Sequence, residues 1–285
     1  MVAMKSFGLT DTGKVRPKNE DYFDLDDAHQ LYVVADGMGG HVGGAVASRI
    51  CTETVHDFVA EHLESSDEPS IDAILRKSFV RAHKAIVDAT YRDDSLLGMG
   101  STIIAAILQQ ETLTIAHLGD CRAYRLRDGK LQRLTHDHSF VAAQIRAGRL
   151  TEDQARTHPL RSVVTRGLGG FKDEVEASDV EITEASVCVG DRFLLCSDGL
   201  TDMLTDEEID GRLQADNTVK AAAIVLLHDA NKRGGKDNIT LVLLSAEDIE
   251  PNKFSERRNP AVYSRLYAEI FRPPSDIAQT ASSAS

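Results

Sequence analysis

The order of elements legible in the sequence predicts an α+β fold in which antiparallel sheets are covered by helices in layers. Three observations carry that expectation. Apolar, often β-branched runs recur along the chain. Helix-compatible spacing arrives in pairs instead of after every strand, as a doubly wound parallel sheet would require. The length of 285 residues, with 42% hydrophobic content, suffices for a large buried core.

The first expected strand is 31–35, an apolar run that ends in Asp36-Gly37. Apolar residues at helical spacing follow over 44–63 and 70–91. Strands are then predicted over 102–108, 113–118 and 123–126. Residues 136–161 break the pattern, with polar turns around helix-like stretches at 140–147 and 152–156, which suits a flap-like excursion beside a site. Strands at 180–182 and 193–196 lead to helices at 206–213 and 218–231 and to a last strand at 239–244. The end changes character. Residues 247–260 are charged, Val262, Leu266, Ile270 and Phe271 space a short amphipathic helix over 261–271, and Pro273-Pro274 stops it. Residues 275–285 have the composition of a disordered end, so one domain is expected over 1–246 and a tail over 247–285.

The formal net charge of -13 argues against a general nucleic-acid binder and against an anionic membrane surface. Bound divalent cations would neutralise part of it. Residues 1–15 show no apolar core with a cleavage site, and no apolar run reaches membrane-spanning length, so the expected location is the cytoplasm. Cys51, Cys121, Cys188 and Cys196 form no CxxC pair and read as structural thiols, and none sits in a phosphate-cradling loop. No Cys/His cluster has zinc spacing, although His136 and His138 are close together.

Two segments match each other: Tyr32-Val-Val-Ala-Asp-Gly-Met-Gly-Gly40 and Phe193-Leu-Leu-Cys-Ser-Asp-Gly-Leu200. Each puts a carboxylate at the tip of a buried strand. Asp120, after Ile115-Ala-His-Leu-Gly, and Asp237, ahead of Asn-Ile-Thr-Leu-Val-Leu243, repeat the arrangement. Any one of these aspartates alone reads as a turn former or strand-end cap. Together they form a crowd of like charges that would take up protons unless cations held them ionised. Oxygen-only ligands favour Mg²⁺ or Mn²⁺, and two such ions suit hydrolysis of a phosphate ester. Upstream, Arg16-Pro-Lys-Asn-Glu-Asp21 offers a guanidinium able to grip two phosphate oxygens.

These motifs resemble the metal-dependent protein serine/threonine phosphatases of the PP2C type (the PPM family) in their short bacterial form. The resemblance runs from about Ser6 to Ser245. It rests on 16–21, Asp36-Gly-Met-Gly-Gly-His41, Gly100-Ser-Thr102, Gly119-Asp120, 134–139, 165–170, Ser197-Asp-Gly199 and Asp237-Asn238. It implies a layered α-β-β-α sandwich of two antiparallel sheets flanked by helices, with a flap at 136–161. It also implies Mn²⁺ or Mg²⁺ as cofactor, with Asp36 bridging two ions, the Gly37 carbonyl on one, and Asp198 and Asp237 on the other. Asp21 then orients metal-bound water, Asp120 shares a third, weaker metal with Asp198, and Arg16 holds the substrate phosphate. His41 is the candidate proton donor to the leaving alkoxide, although other branches place a histidine where this chain has Met38 and a metal-bound water can take that role. The implied reaction is direct attack of a metal-bridging water on phosphoserine or phosphothreonine in proteins, opposing a cytoplasmic Ser/Thr kinase.

Two other readings compete. Two-metal nucleases use acidic ligands of the same type, and the missing basic stripe weighs against them. A catalytically silent binding module would be expected to lose a metal ligand, whereas Asp36, Asp198, Asp237 and Arg16 are all present.

Overall fold

The computed structural model describes residues 2–39, 43–64, 70–172, 174–215 and 218–248. His41, the expected helix at 261–271 and the rest of the tail lie outside the described residues. The strands are β1 (Val2–Asp11), β2 (Asp21–Asp26), β3 (Leu31–Met38), β4 (Gly100–Gln109), β5 (Thr112–Leu118), β6 (Arg122–Arg127), β7 (Lys130–Arg133), β8 (Leu168–Gly169), β9 (Glu181–Ser186), β10 (Arg192–Cys196) and β11 (Ile239–Asp248). The helices are α1 (Gly43–Leu63), α2 (Ile71–Thr90), α3 (Phe140–Arg146), α4 (Glu152–Arg156), α5 (Asp198–Thr201), α6 (Asp206–Ala215) and α7 (Val219–Lys232).

One sheet has the order β1-β11-β10-β6-β7, and the other β2-β3-β4-β5-β9 with β8 added beside β4. Every pairing is antiparallel. Helices α1 and α2 cover the second sheet, and α7, with α6 against it, covers the first. The result is the expected α-β-β-α sandwich.

Side-chain parity explains why β3 and β4 read as continuous apolar runs. Tyr32, Val34, Ile104 and Ala106 pack between the sheets. Their neighbours Val33, Ala35, Ile103 and Ala105 pack under α1 and α2. With both faces buried, alternation disappears from the sequence. Asp36 continues the parity of Tyr32 and Val34, so the strand delivers its carboxylate to the mouth of the crevice between the sheets.

Polar residues interrupt the apolar ones in β1 and β2, which therefore lack the continuous run that marks β3 in the sequence. In β2, three of six residues are acidic, yet Asp21, Asp24 and Asp26 are all buried. In β1, Ser6 is buried and donates to Asp27 at 2.6 Å, hiding a core strand behind a polar residue. The expected strand at 180–182 starts instead at Glu181, because Arg76 takes the Val180 carbonyl for its guanidinium.

Candidate active site

Both sheets send carboxylates to one end of the crevice. Asp21 opens β2 directly across from Asp36 of β3, which faces Thr102 of β4 on its other side. Asp120 lies in the passage from β5 to β6, where the chain leaves one sheet for the other. From the first sheet, Asp198 opens α5 after β10, and Asp237 stands two residues before β11. Two glycines allow the close approach. A Cβ on Gly37 would lie 2.0 Å from the Gly44 carbonyl oxygen, and one on Gly199 would lie 1.9 Å from that of Asn238.

The surrounding hydrogen bonds fix the carboxylates without neutralising them. Ser197 Oγ donates to Asp21 Oδ2 at 2.8 Å and accepts from Thr240 N–H at 3.0 Å, tying the two sheets together at the site. Asn238 staples the Arg16 loop to β11: its Nδ2 donates to the Thr12 and Lys18 carbonyls at 2.9 and 2.8 Å, and its Oδ1 accepts from Glu20 N–H at 2.8 Å. At the rim, half-exposed Arg16 donates to Asp237 Oδ2 at 2.6 Å.

The electrostatics are those of an acidic crowd. Burial, then the charges of Asp21, Asp198, Asp120 and Asp237, pushes Asp36 well above the usual carboxylate range. Burial followed by Asp120 and Asp202 does the same to Asp198. Burial raises Asp21 to about 6 despite its hydrogen bonds to Thr240 and Ser197, and burial with the Asp137 charge raises Asp120 to about 7. Glu20, which the sequence reading did not single out, belongs to the same field: burial raises it, Arg16 opposes, and Asp237 adds to the rise. Its only sequence signal was its place inside the Asn-Glu-Asp cluster.

Among the described residues, Asp21 Oδ1, Asp120 Oδ1 and Asp198 Oδ1 are buried and have no hydrogen-bond partner. Unpartnered buried carboxylate oxygens are costly, and hard divalent cations with oxygen-only ligands are what this donor set fits. A different cluster, His117, His138 and Glu181, also brings ligand atoms within 4.8 Å of one another. It fits an ion poorly. The imidazoles of His117 and His138 stack at 4.7 Å and 15°, so their in-plane lone pairs run side by side instead of converging. His117 Nε2 also donates to the His136 carbonyl at 3.0 Å, and His138 Nδ1 accepts from Gly119 N–H at 3.1 Å.

Beside Asp120 and Asp198 opens a cleft of about 430 Å³, lined on its far side by Ile145, Arg146, Arg156 and Arg161 of the 136–161 excursion. The base of the excursion is held by an ion-pair cluster the sequence did not reveal. Arg122 grips Asp137 at 2.7 Å, and Arg133 pairs with the same carboxylate. These partners come from β6, β7 and the loop after β7, a juxtaposition made by the sheet and invisible in linear spacing.

The pattern of the Protein phosphatase 2C family matches residues 15–234, most of the chain. The chain belongs to the protein phosphatase 2C family. It is 36% identical over 241 residues to the serine/threonine phosphatase stp of Listeria monocytogenes, covering 84% of this chain and 94% of that one. It is 38% identical over 243 residues to the serine/threonine protein phosphatase PstP of Mycobacterium tuberculosis, covering 85% of this chain and 45% of that longer one. The crystal structure of M. tuberculosis PstP superimposes with a TM-score of 0.78 at 36% identity, over 86% of this chain and all of that one (100%). The PstP catalytic domain in complex with two manganese ions gives 0.76 at 33% identity, over 87% of this chain and 100% of that one. Membership of the protein phosphatase 2C family makes this chain a metal-dependent serine/threonine protein phosphatase, using Mn²⁺ or Mg²⁺ and acting on phosphoproteins. Among the described residues, no helix is long and apolar enough to cross a membrane.

Proposed function

We propose that the crowded carboxylates form the catalytic centre. Asp36, the Gly37 carbonyl, Asp198 and Asp237 would hold two cations, and Asp120 with Asp198 a third, weaker one. Bound there, the cations would supply acidification of water and neutralisation of charge on the phosphoryl oxygens. Asp21, itself held by Ser197, orients the attacking water toward phosphorus, and hydrolysis is direct, with no phosphoenzyme. Arg16 at the open rim leaves Asp237 to grip the phosphate with two parallel N–H donors. His41 carries the expectation of protonating the leaving serine or threonine alkoxide. The 136–161 segment acts as a flap that shapes substrate access to the cleft. The setting is the cytoplasm, where the enzyme opposes a Ser/Thr kinase.

The observation that carries this reading is the set of unpartnered buried oxygens on Asp21, Asp120 and Asp198, packed among carboxylates with raised pKa. The test is phosphate release from a phosphothreonine peptide as Mn²⁺ is titrated from a chelated zero, with Asp237→Ala run alongside. Metal-dependent turnover that the substitution removes supports the assignment; turnover unchanged by the substitution overturns it. In the same assay, Arg16→Lys is expected to raise KM by roughly tenfold, since lysine lacks the bidentate fork. An unchanged KM would move phosphate recognition elsewhere.

A further inference from the structure

His138 joins two parts of the molecule. It is 4% exposed, and its backbone N–H donates to the Gly119 carbonyl at 2.9 Å while Gly119 N–H donates back to its Nδ1 at 3.1 Å. The backbone of the residue preceding Asp120 is thus held on both its donor and its acceptor by one histidine. The His138 carbonyl accepts from Thr165 N–H at 2.7 Å and from Thr165 Oγ1 at 2.8 Å. The entry and exit of the 136–161 excursion therefore meet at this residue, and the next pair, Ser139 and Val164, forms an antiparallel bridge. On the far side of the ring, Nε2 contacts Glu181 Oε2 at 3.0 Å, and Glu181 sits directly across from His117 in the β5–β9 register. Because Nδ1 accepts a backbone N–H, it carries no proton, so the ring is neutral with its hydrogen on Nε2.

We propose that His138 is a positioning residue that couples the excursion 136–161 to the Asp120 carboxylate. The inference rests on the reading that Asp120 helps to hold a weak metal ion. Any shift of the excursion's base moves the partner of Gly119 and, through one peptide, Asp120. By linkage, an ion on Asp120 and Asp198 then restrains the excursion as much as the excursion's position tunes the affinity for the ion.

Two substitutions separate the bonds. His138→Asn places an amide oxygen where Nδ1 stood and keeps the acceptor for Gly119. His138→Gln reproduces the Nε2 donor toward Glu181 and loses that acceptor. Mn²⁺ binding to the full-length chain is measured by calorimetry, with Asp120→Ala alongside. Residues supporting a ligand typically contribute about 10–100-fold to metal affinity. The weakest Mn²⁺ site should therefore lose about tenfold or more in His138→Gln and stay within about twofold of the parent in His138→Asn. Limited trypsin cleavage within 136–161 should slow on adding Mn²⁺ in the parent and in His138→Asn, and not in His138→Gln. Equal losses in both variants, or cleavage that follows melting temperature alone, would overturn the coupling. If Asp120→Ala leaves every Mn²⁺ site intact, the metal reading of Asp120 fails and takes the coupling with it. If it removes the weakest site while His138→Gln spares that site, only the coupling fails.

Discussion

Strand β2 ends in two opposite environments. At one end, Asp21 joins Asp36, Asp120 and Asp198 with no cationic side chain among the described residues bonded to any of the four, and burial raises its pKa to about 6. At the other, Asp24 lies 2.6 Å from His56 Nδ1, and Asp26 lies 2.6 Å from His29 Nδ1 with His56 Nε2 at 3.8 Å. There burial opposes ionisation, but the bonds and charge of His29 outweigh it and Asp26 is lowered. Asp137 repeats the second case, its burial overcome by Arg122 and Arg133. A buried carboxylate is therefore no mark of a site by itself. The mark is a buried carboxylate for which the protein supplies no countercharge.

That contrast predicts opposite responses to substitution. The largest effect is on turnover: Asp198→Ala should lower kcat by about a thousandfold or more while leaving the melting temperature in chelator unchanged or higher. A comparable fall in stability would show that Asp198 holds the fold instead of a cation. At the paired end, His56→Ala leaves the buried Asp24 carboxyl without its 2.6 Å partner and should cost about 3–5 kcal/mol in denaturant unfolding, with turnover per folded molecule unchanged. Lost turnover with intact stability would erase the distinction between the two ends.

A smaller effect concerns pH. In chelator, the folded chain keeps a proton on Asp120 up to about pH 7, whereas the unfolded chain releases it in the ordinary carboxylate range. The folded state thus binds more protons across that window, and this group's contribution to stability falls as pH rises through it. Asp120→Asn should then stabilise the chelated protein by about 1–3 kcal/mol at about pH 8 and by almost nothing at about pH 4. The same proton must leave before a cation binds, so Mn²⁺ affinity should weaken as pH drops below about 7. A pH-independent affinity would mean that a positive group already holds the cluster ionised.

The sequence exposed the acidic end and concealed the paired one for the same physical reason. Asp36 and Asp198 follow apolar runs and precede glycine, so each carries a local signature of a strand tip. Asp24 and Asp26 alternate with Phe23 and Leu25 in a segment that reads as a polar surface until α1 brings His56 against it. Partnerships made across elements, such as Arg122 with Asp137 or Ser197 with Asp21, leave no linear trace. For His138, what linear reading lacked was Gly119 as its hydrogen-bond partner.

The carboxylates reach one point from two sheets that are distant along the chain, and this has a kinetic consequence. Asp36 belongs to the sheet built largely from the first half of the sequence, while Asp198 and Asp237 flank β10 and β11 of the other sheet, which is completed only near the end of the described chain. No partly folded intermediate holding one sheet alone would own a complete cation site. A cation held by these carboxylates would therefore act as a latch closed last and opened first: it should lengthen the lifetime of the native state by slowing unfolding, while leaving the rate of folding almost untouched.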